Sequence, residues 1–368
     1  MVITVLFYTF VAAAVIQFCY YLSFLSFAFH RTLGNSKEVS HPISVIVCSK
    51  NEAENLEKLI PLLLQQNYYK FELVLINDAS TDNTQDILER FQKENSKVKL
   101  VNVENNEAFW GNKKYALTLG IKAAKYEHLL FTDADCVPAS TNWIKEMSSQ
   151  FSERKSIVLG YGKYQAKKHS LVNVLVRYET LLTAVQYFSY AKLGSPYMAV
   201  GRNLAYTKSE FFRVKGFINH MNVRSGDDDL FIKDAATNTN TAISVHAESF
   251  TISKAPKNIK EWFRQKRRHV STSSHYKFSH KFLLSLFYIT KVLTWVLAPL
   301  LYLITQDYLV LLLLLGYIVL NYLSIGFSAK RLKETSVLYC LPFLEVFLVL
   351  FQFTIFITNT FSKPTHWK

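Results

Sequence analysis

Ile43-Ser44-Val45-Ile46-Val47-Cys48-Ser49-Lys50-Asn51-Glu52 is a short, nearly unbroken β-branched run that stops abruptly in polar residues. A run of this length without alternation predicts a strand buried on both faces. Downstream, Glu52–Gln66 sets Leu56, Leu59, Ile60, Leu63 and Leu64 at helical spacing. Phe71–Asn77 reads as a second strand, followed by a helix through Ile87, Leu88 and Phe91. Val98–Val103, Lys113–Lys125 and His128–Thr132 continue as strand, helix and strand. This rhythm predicts an α/β fold with an open, mostly parallel, Rossmann-like sheet and right-handed crossovers. In such sheets ligands sit beyond the carboxyl ends of the strands. Those ends carry Ser49–Glu52, Asp78, Glu104–Asn105 and Asp133–Asp135, so several strand ends deliver polar or acidic groups to one edge. Cys48–Glu52 lacks the glycines of a Walker loop or a dinucleotide fingerprint, which argues against nucleotide binding of either kind.

Outside this region the chain turns apolar. Val2–Phe29 carries no charge and is long enough to span ~30 Å of hydrocarbon. Its first positive charge, Arg31, follows the run rather than preceding it, so it reads as a retained anchor instead of a cleaved signal. Three further apolar blocks lie at Phe282–Ile304, Tyr308–Phe327 and Val337–Phe361. Lys330, Arg331 and Lys333 crowd the link between the last two, whereas Thr305–Asp307 has no Lys or Arg. The positive-inside rule then puts 329–335, and by counting spans 31–281, in the cytoplasm; Lys363 and Lys368 mildly dissent. The expected organisation is an anchor at 1–30, a cytoplasmic domain at 31–281 ending in a basic interfacial segment at 254–281, and transmembrane helices in 282–368. Two charges fall inside the last part. Lys291 is expected to snorkel; Glu345 has no such escape and stays open as a functional intramembrane charge.

The whole chain of 368 residues is 50% hydrophobic and 15% aromatic, with 42 Lys+Arg against 28 Asp+Glu. That apolar content excludes a disordered chain. Cys19, Cys48, Cys136 and Cys340 form no Cys-x-x-Cys pair, so neither a disulfide scaffold nor a zinc site is indicated. Much of the excess charge sits between Lys254 and Lys281, where nine Lys/Arg accompany one acid, Glu261. Within it Asn258–Val270 reads as a helix. Ile259, Phe263 and Val270 form its apolar stripe, with Trp262 at the border, while Gln265 and Arg268 lie together on another face. Such a helix is expected to lie on anionic lipid by its apolar face. The neighbouring membrane span and the lack of a reading motif argue against nucleic acid as the partner.

The carboxylates are the chemical signal. Thr132-Asp133-Ala134-Asp135-Cys136 puts two of them on one side if the strand continues, a geometry suited to a hard divalent cation on a diphosphate. Asp78 ends the second strand, with Ser80 or Thr81 expected to cap the helix that follows. Ser225-Gly226-Asp227-Asp228-Asp229 packs three carboxylates whose repulsion needs a cation, a basic group or a proton to offset it. A surface turn is the bland reading of each cluster.

Taken together, these segments resemble membrane-bound glycosyltransferase family 2, whose catalytic fold is GT-A, across about residues 41–281. Ile43–Val47 through Asn51-Glu52 is similar to the family's opening strand. Asp78 with Ser80–Thr84 is similar to its second motif, and Gly111 to Leu117 to a basic stretch in which Lys113 takes the family's Lys position. Asp133 and Asp135 match its Asp-x-Asp. Gly201-Arg202-Asn203 and Gly216-Phe217 resemble its acceptor-side segment, and Gly226-Asp227-Asp228 its Gly-Glu-Asp. Gln265-Lys266-Arg267-Arg268-His269 matches Gln-x-x-Arg-Trp except at His269.

The resemblance implies an inverting transfer of a sugar from a nucleotide-diphosphate sugar, with a UDP-sugar favoured. Asp228 would be the catalytic base. Ser49, Glu52, Asp78, Lys113, Asp133, Gln265 and Arg268 would bind the nucleotide sugar, and Asp135 with Asp133 would hold Mg²⁺ or Mn²⁺. Gly201, Asn203, Asp227 and His269 would line the acceptor side. The missing Trp and the small number of spans favour a lipid-linked or membrane-resident glycan acceptor over a polymer channel. The alternatives are a processive synthase, similar to poly-N-acetylglucosamine or hyaluronan makers, and a non-catalytic membrane scaffold. The implied location is a bacterial inner membrane.

Overall fold

A computed structural model of the chain describes residues 1–29, 41–104, 113–223 and 225–362. Arg31, Asn105, Gly111, Lys363 and Lys368 lie outside the described residues. The rest forms two compact units. The first takes in the described residues of 41–166 and 190–255; the second takes in 1–29, 167–189 and 256–362. Residues 167–189 and 256–281 therefore group with the apolar helices and not with the α/β unit.

The α/β unit is built on strands β1 (Ile43–Ser49), β2 (Phe71–Asp78), β3 (Val98–Val103) and β4 (His128–Asp133). They run parallel in the order β3-β2-β1-β4. Val45 stands level with Leu73 on one side and Leu130 on the other, and all three are buried. Alternate residues of β1 and β2 face opposite layers, as a strand's period of two requires. Val45, Val47, Leu73 and Leu75 pack with Leu56, Leu59, Ile60 and Leu63 of helix α2 (Ala53–Leu64), and with Leu88 of α3 (Thr84–Glu94). Each such buried side chain contributes about 1.5–3 kcal/mol.

Ile46 and Ile76 lie against helix α4 (Lys113–Ala123) at Gly120. A Cβ there would lie 2.2 Å from Ile76 Cδ1, so any other residue would force the Ile76 side chain or the helix to move. The register then decides which groups reach the carboxyl edge: Cys48 is level with Asp133, Ser49 with Asn77, and Asp78 with Val103.

The sheet extends past β4 in a way the repeating pattern did not foresee. β8 (Leu204–Thr207) pairs antiparallel with β4, followed by β6 (Ile157–Leu159) and β9 (Thr241–Ile243). A second sheet joins β5 (Cys136–Pro138), β10 (Thr251–Ser253) and β7 (Gly162–Tyr164). These strands have three or four residues each, too few to show a period. Helix α5 (Trp143–Ser148) fills the core between with Trp143, Ile144 and Met147.

The other unit contains helices α1 (Val2–Ala28), α10 (Phe278–Thr305), α11 (Tyr308–Arg331) and α12 (Leu341–Phe361). Among the described residues, four helical stretches, the last counted from Thr335, are long and apolar enough to cross a membrane. Lys291 does not snorkel. Its ammonium is buried and lies 2.7 Å from Glu345 Oε1. The same carboxylate accepts from Tyr21 Oη (2.7 Å), Tyr317 Oη (2.6 Å), Asn321 Nδ2 (2.7 Å) and Trp295 Nε1 (3.3 Å). One acid thus ties together all four helices.

Helix α6 (Leu171–Lys192) joins this unit through residues 171–189. Arg177 Nε donates to Glu334 (2.8 Å), and Lys266 of α9 (Ile259–Val270) pairs with Glu179 at 2.6 Å. The packing of α9 departs from its sequence reading. Trp262, expected at the stripe's border, is fully buried and stacks on Phe351 with ring centroids 4.0 Å apart. Ile259 and Val270 stay exposed. The helix thus leans on α12 by Trp262 and Phe263, leaving two residues of its stripe uncovered.

Candidate active site

The carboxyl edge of the sheet begins with two clasped loops. Asn51 and Ala79 both take left-handed backbone angles, φ 55° and 48°, which place their loops sharply against each other. Asn51 Oδ1 accepts from the Thr81 backbone N–H at 2.7 Å, and the Asn51 N–H donates to Ser80 Oγ at 3.0 Å. Ser80 and Thr81 are therefore engaged by Asn51 and do not cap α3. Asp82 does that work, accepting from the Thr84 N–H (3.0 Å) and from the Ala53 N–H that opens α2 (3.3 Å).

Asp78 sits half-buried at the end of β2. Burial raises its carboxyl above the ordinary range, against the pull of Lys50 and Lys113. Glu52 precedes α2 and accepts from Asn55 Nδ2 at 2.6 Å. Ser49 is turned inward: its hydroxyl is buried and donates to the Ile76 carbonyl at 2.8 Å, so it braces β1 on β2.

Lys113, the first residue of α4, is the hub. Its Nζ lies 2.9 Å from Asp133 Oδ1 and 3.0 Å from Asp227 Oδ2. Two acidic segments separated by almost a hundred positions in the chain thus share one ammonium. Burial opposes the Lys113 charge, but Asp133 and Asp227 outweigh it and hold the group well above its usual range. Cys48 lies in the same cavity, lined also by Ile46, Leu117, Gly201 and Tyr206; burial pushes its thiol up to about 12.

Asp227 and Asp228 are adjacent but sit in opposed environments. Gly226 reaches φ 92°, and a Cβ there would lie 2.6 Å from Leu230 Cγ; glycine alone gives this turn into α8 (Asp229–Ala235). For Asp227, burial is overcome by the ion pair with Lys113, which leaves the carboxyl below its ordinary range. For Asp228, burial comes first, followed by the charges of Asp227 and Asp229, and the carboxyl rises to about 7. Its oxygens accept from the backbone N–H groups of Gly201 and Asp229, both at 2.8 Å, which fixes their direction. Neighbouring acids driven apart in this way are suited to different tasks, Asp227 as a fixed anion and Asp228 as a proton acceptor near neutrality.

Gly201 thus contributes through its N–H. Asn203 has another task than the acceptor contact expected of it. It is fully buried, donates to the carbonyls of Tyr161 (2.9 Å) and Ser249 (2.7 Å), and accepts from Trp143 Nε1 (3.1 Å), so it pins the surrounding loops together.

β4 ends at Asp133 and does not carry Asp135 onward as a strand; the chain turns at Ala134–Asp135 before β5. The pair converges all the same. Donor atoms of Asp133, Asp135 and Cys136 lie within 4.8 Å of one another. Burial and then the two acids hold the Cys136 thiol well above its ordinary range, so it stays protonated and donates to Asp135 Oδ1 at 3.3 Å. That leaves two carboxylates as donors, and all-oxygen donors fit Mg²⁺ or Mn²⁺ better than zinc. The Asp135 carboxyl is itself raised, first by partial desolvation and then by Asp133 beside it, the crowding a cation would relieve.

Gln265, Arg268 and His269 belong to α9 in the other unit; His269 is exposed and the other two are partly buried. Lys114 was missed. It stands at helical spacing with Leu117 and Ile121 on the buried stripe of α4, a position where a lysine needs a reason.

Likeness to known proteins marks the α/β unit as that of a transferase. Residues 44–202 match the model of Glycosyl transferase family 2, and the chain carries a domain of that family. Over 123 residues it is 30% identical to the glycosyltransferase GlyG of Streptococcus pneumoniae, covering 33% of this chain and 39% of that protein. Over 95 residues it is 38% identical to a poly-beta-1,6-N-acetyl-D-glucosamine synthase of Staphylococcus epidermidis, covering 26% and 22%. The match therefore spans well under half the length of either relative. Among solved structures, the mannosyltransferase PcManGT from Pyrobaculum calidifontis, in complex with GDP-Man and Mn²⁺, superposes with a TM-score of 0.57 at 16% identity, covering 96% of this chain and 99% of that one. At that identity the likeness establishes the fold, GT-A.

Proposed function

We propose that the chain is an inverting glycosyltransferase of a membrane, moving a sugar from a nucleotide-diphosphate sugar to a lipid-linked or membrane-resident glycan. The observation that carries this reading is the buried Asp228 carboxyl, raised to about 7 and aimed by two backbone N–H groups, in the same site as the Asp133–Asp135 pair. Asp228 takes the proton of the acceptor hydroxyl as its oxygen bonds to the anomeric carbon. The bond from that carbon to the diphosphate breaks on the opposite face, and the nucleoside diphosphate leaves with its electron pair. Asp78 and Glu52 hold the nucleoside. Asp133 and Asp135 present the hard oxygen donors for Mg²⁺ or Mn²⁺, which when bound would neutralise the departing diphosphate. Lys113 supplies a fixed positive charge beside it. Asp227 and Gly201 face the acceptor. A UDP-sugar is the favoured donor, and the catalytic unit faces the cytoplasm of a bacterial inner membrane.

The kinship with a poly-beta-1,6-N-acetyl-D-glucosamine synthase favours a second reading, a processive polymerase. One experiment separates the readings. Purified protein in nanodiscs is screened against nucleotide sugars, with and without Mn²⁺ and with polyprenyl-linked acceptors, and both nucleotide release and product length are scored. One added sugar supports transfer to a lipid-linked acceptor, and a ladder supports polymerisation. Absence of release with every donor removes both.

A further inference from the structure

Lys114 is 1% exposed, a burial that a lysine reaches only with compensation. Its Nζ donates to the backbone carbonyls of His220 at 2.7 Å and Val223 at 2.8 Å. Those carbonyls lie just ahead of Gly226, where the chain turns to present Asp227 and Asp228. Lys113 and Lys114, consecutive at the start of α4, therefore divide the work: the first holds the Asp133 and Asp227 carboxylates, the second holds the backbone leading to Asp228.

We infer that Lys114 is a positioning residue for the proposed base: by gripping the carbonyls of His220 and Val223 it fixes where Asp228 presents its carboxyl, and its positive charge steadies that carboxylate. The inference rests on the reading of Asp228 as the base. Among the described residues, the charged and titratable groups facing Lys114 are Asp227, Asp228, Asp229 and His220. Burial pulls the ammonium down to about 8, and the three aspartates oppose that pull. Lys114 in turn lowers Asp227 and, after burial, keeps the His220 imidazole neutral. An uncharged side chain of the same length would lose the carbonyl bonds and the field together; a glutamine could keep one bond and lose the field.

Lys114→Met, Lys114→Gln and Lys114→Arg are compared with wild type, full-length in nanodiscs. In Lys114→Met, kcat is expected to fall about 10–100-fold with the donor KM within about threefold of wild type. The acidic limb of its pH–rate profile is expected to move to higher pH, because Asp228 has lost a favourable cation. Lys114→Gln should show the same shift with a smaller loss of kcat, and Lys114→Arg should keep the wild-type limb. Should Lys114→Met fail to fold, Lys114→Gln alone carries the test.

Unchanged kcat and an unchanged limb in the neutral variants would overturn the inference. So would a loss of rate in Lys114→Gln with no movement of the limb, which marks a purely structural lysine. Hydrogen exchange gives a readout that needs no turnover: amides of 221–223 and 225–229 are expected to exchange faster in Lys114→Gln, and unchanged protection there refutes the grip. If wild type turns over no nucleotide sugar, the functional reading fails, while the exchange result still decides whether Lys114 anchors this turn.

Discussion

The Glu345 cluster allows a quantitative prediction. Replacing Glu345 with alanine removes the acceptor for Tyr21, Tyr317, Asn321 and Trp295 and strands the buried Lys291 ammonium 2.7 Å from where its partner stood. Hydrogen bonds between membrane helices average about 0.6 kcal/mol each by double-mutant cycles, so the four neutral donors alone account for a modest loss. The orphaned charge dominates: breaking a buried pair from one side costs about 3–5 kcal/mol. For a chain of 368 residues, with an unfolding entropy of about 2.1 cal/mol/K per residue, that corresponds to an apparent midpoint lower by about 4–6 °C. A temperature ramp of detergent-solubilised protein, with the monodisperse fraction read by fluorescence-detected size exclusion, measures it. Glu345→Ala with Lys291→Met should recover much of the loss, because no uncompensated charge remains. A single mutant that melts within about 1 °C of wild type, or a double mutant that loses the sum of both singles, would refute the argument.

Three predictions concern the α/β unit. Asp228→Asn should lower kcat by about two to four orders of magnitude while nucleotide-sugar binding by calorimetry is retained, since the amide keeps the shape and cannot take the proton. For the pH dependence, a carboxyl raised to about 7 is protonated and inactive as a base below that value, so kcat/KM should climb as pH rises through 7, and a profile flat from pH 5.5 to 8 would contradict the assignment. Asp135→Ala should weaken Mn²⁺ binding, followed by electron paramagnetic resonance in the absence of turnover, and chelation of wild type should abolish transfer reversibly.

The parallel half of the sheet was legible in the sequence because β1, β2 and β4 are buried on both faces and so read as short, nearly continuous apolar runs between helical stretches. The apolar helices were equally plain. β6, β7, β9 and β10 were not, since three residues carry no periodicity and are held by pairings that only the folded chain creates. At the site, residue types in order singled out carboxylates that the fold gathers around Lys113 and at the end of β4, yet not what each one touches. Ser49 and Asn203 proved to be internal braces because a polar side chain at a strand end is as useful to the sheet as to a ligand. Lys113 was noticed and Lys114 was not, although the second is the more deeply buried, because adjacent lysines look alike until the helix's buried stripe is drawn through them. Lys291 and Glu345 were treated as separate charges; fifty-four positions apart, nothing local couples them.

Gly120 has a reach well beyond its own turn of helix. The absence of a side chain there sets the standoff between α4 and the strand beneath it, and both lysines ride on that helix. Unless the Ile76 side chain gave way, a single added methyl would act as a shim, lifting the ammonium groups away from carbonyls and carboxylates they now meet at 2.7–3.0 Å. Calibration of the charged centre is thereby set from the hydrocarbon side of a helix, at a residue that touches no polar atom of the site.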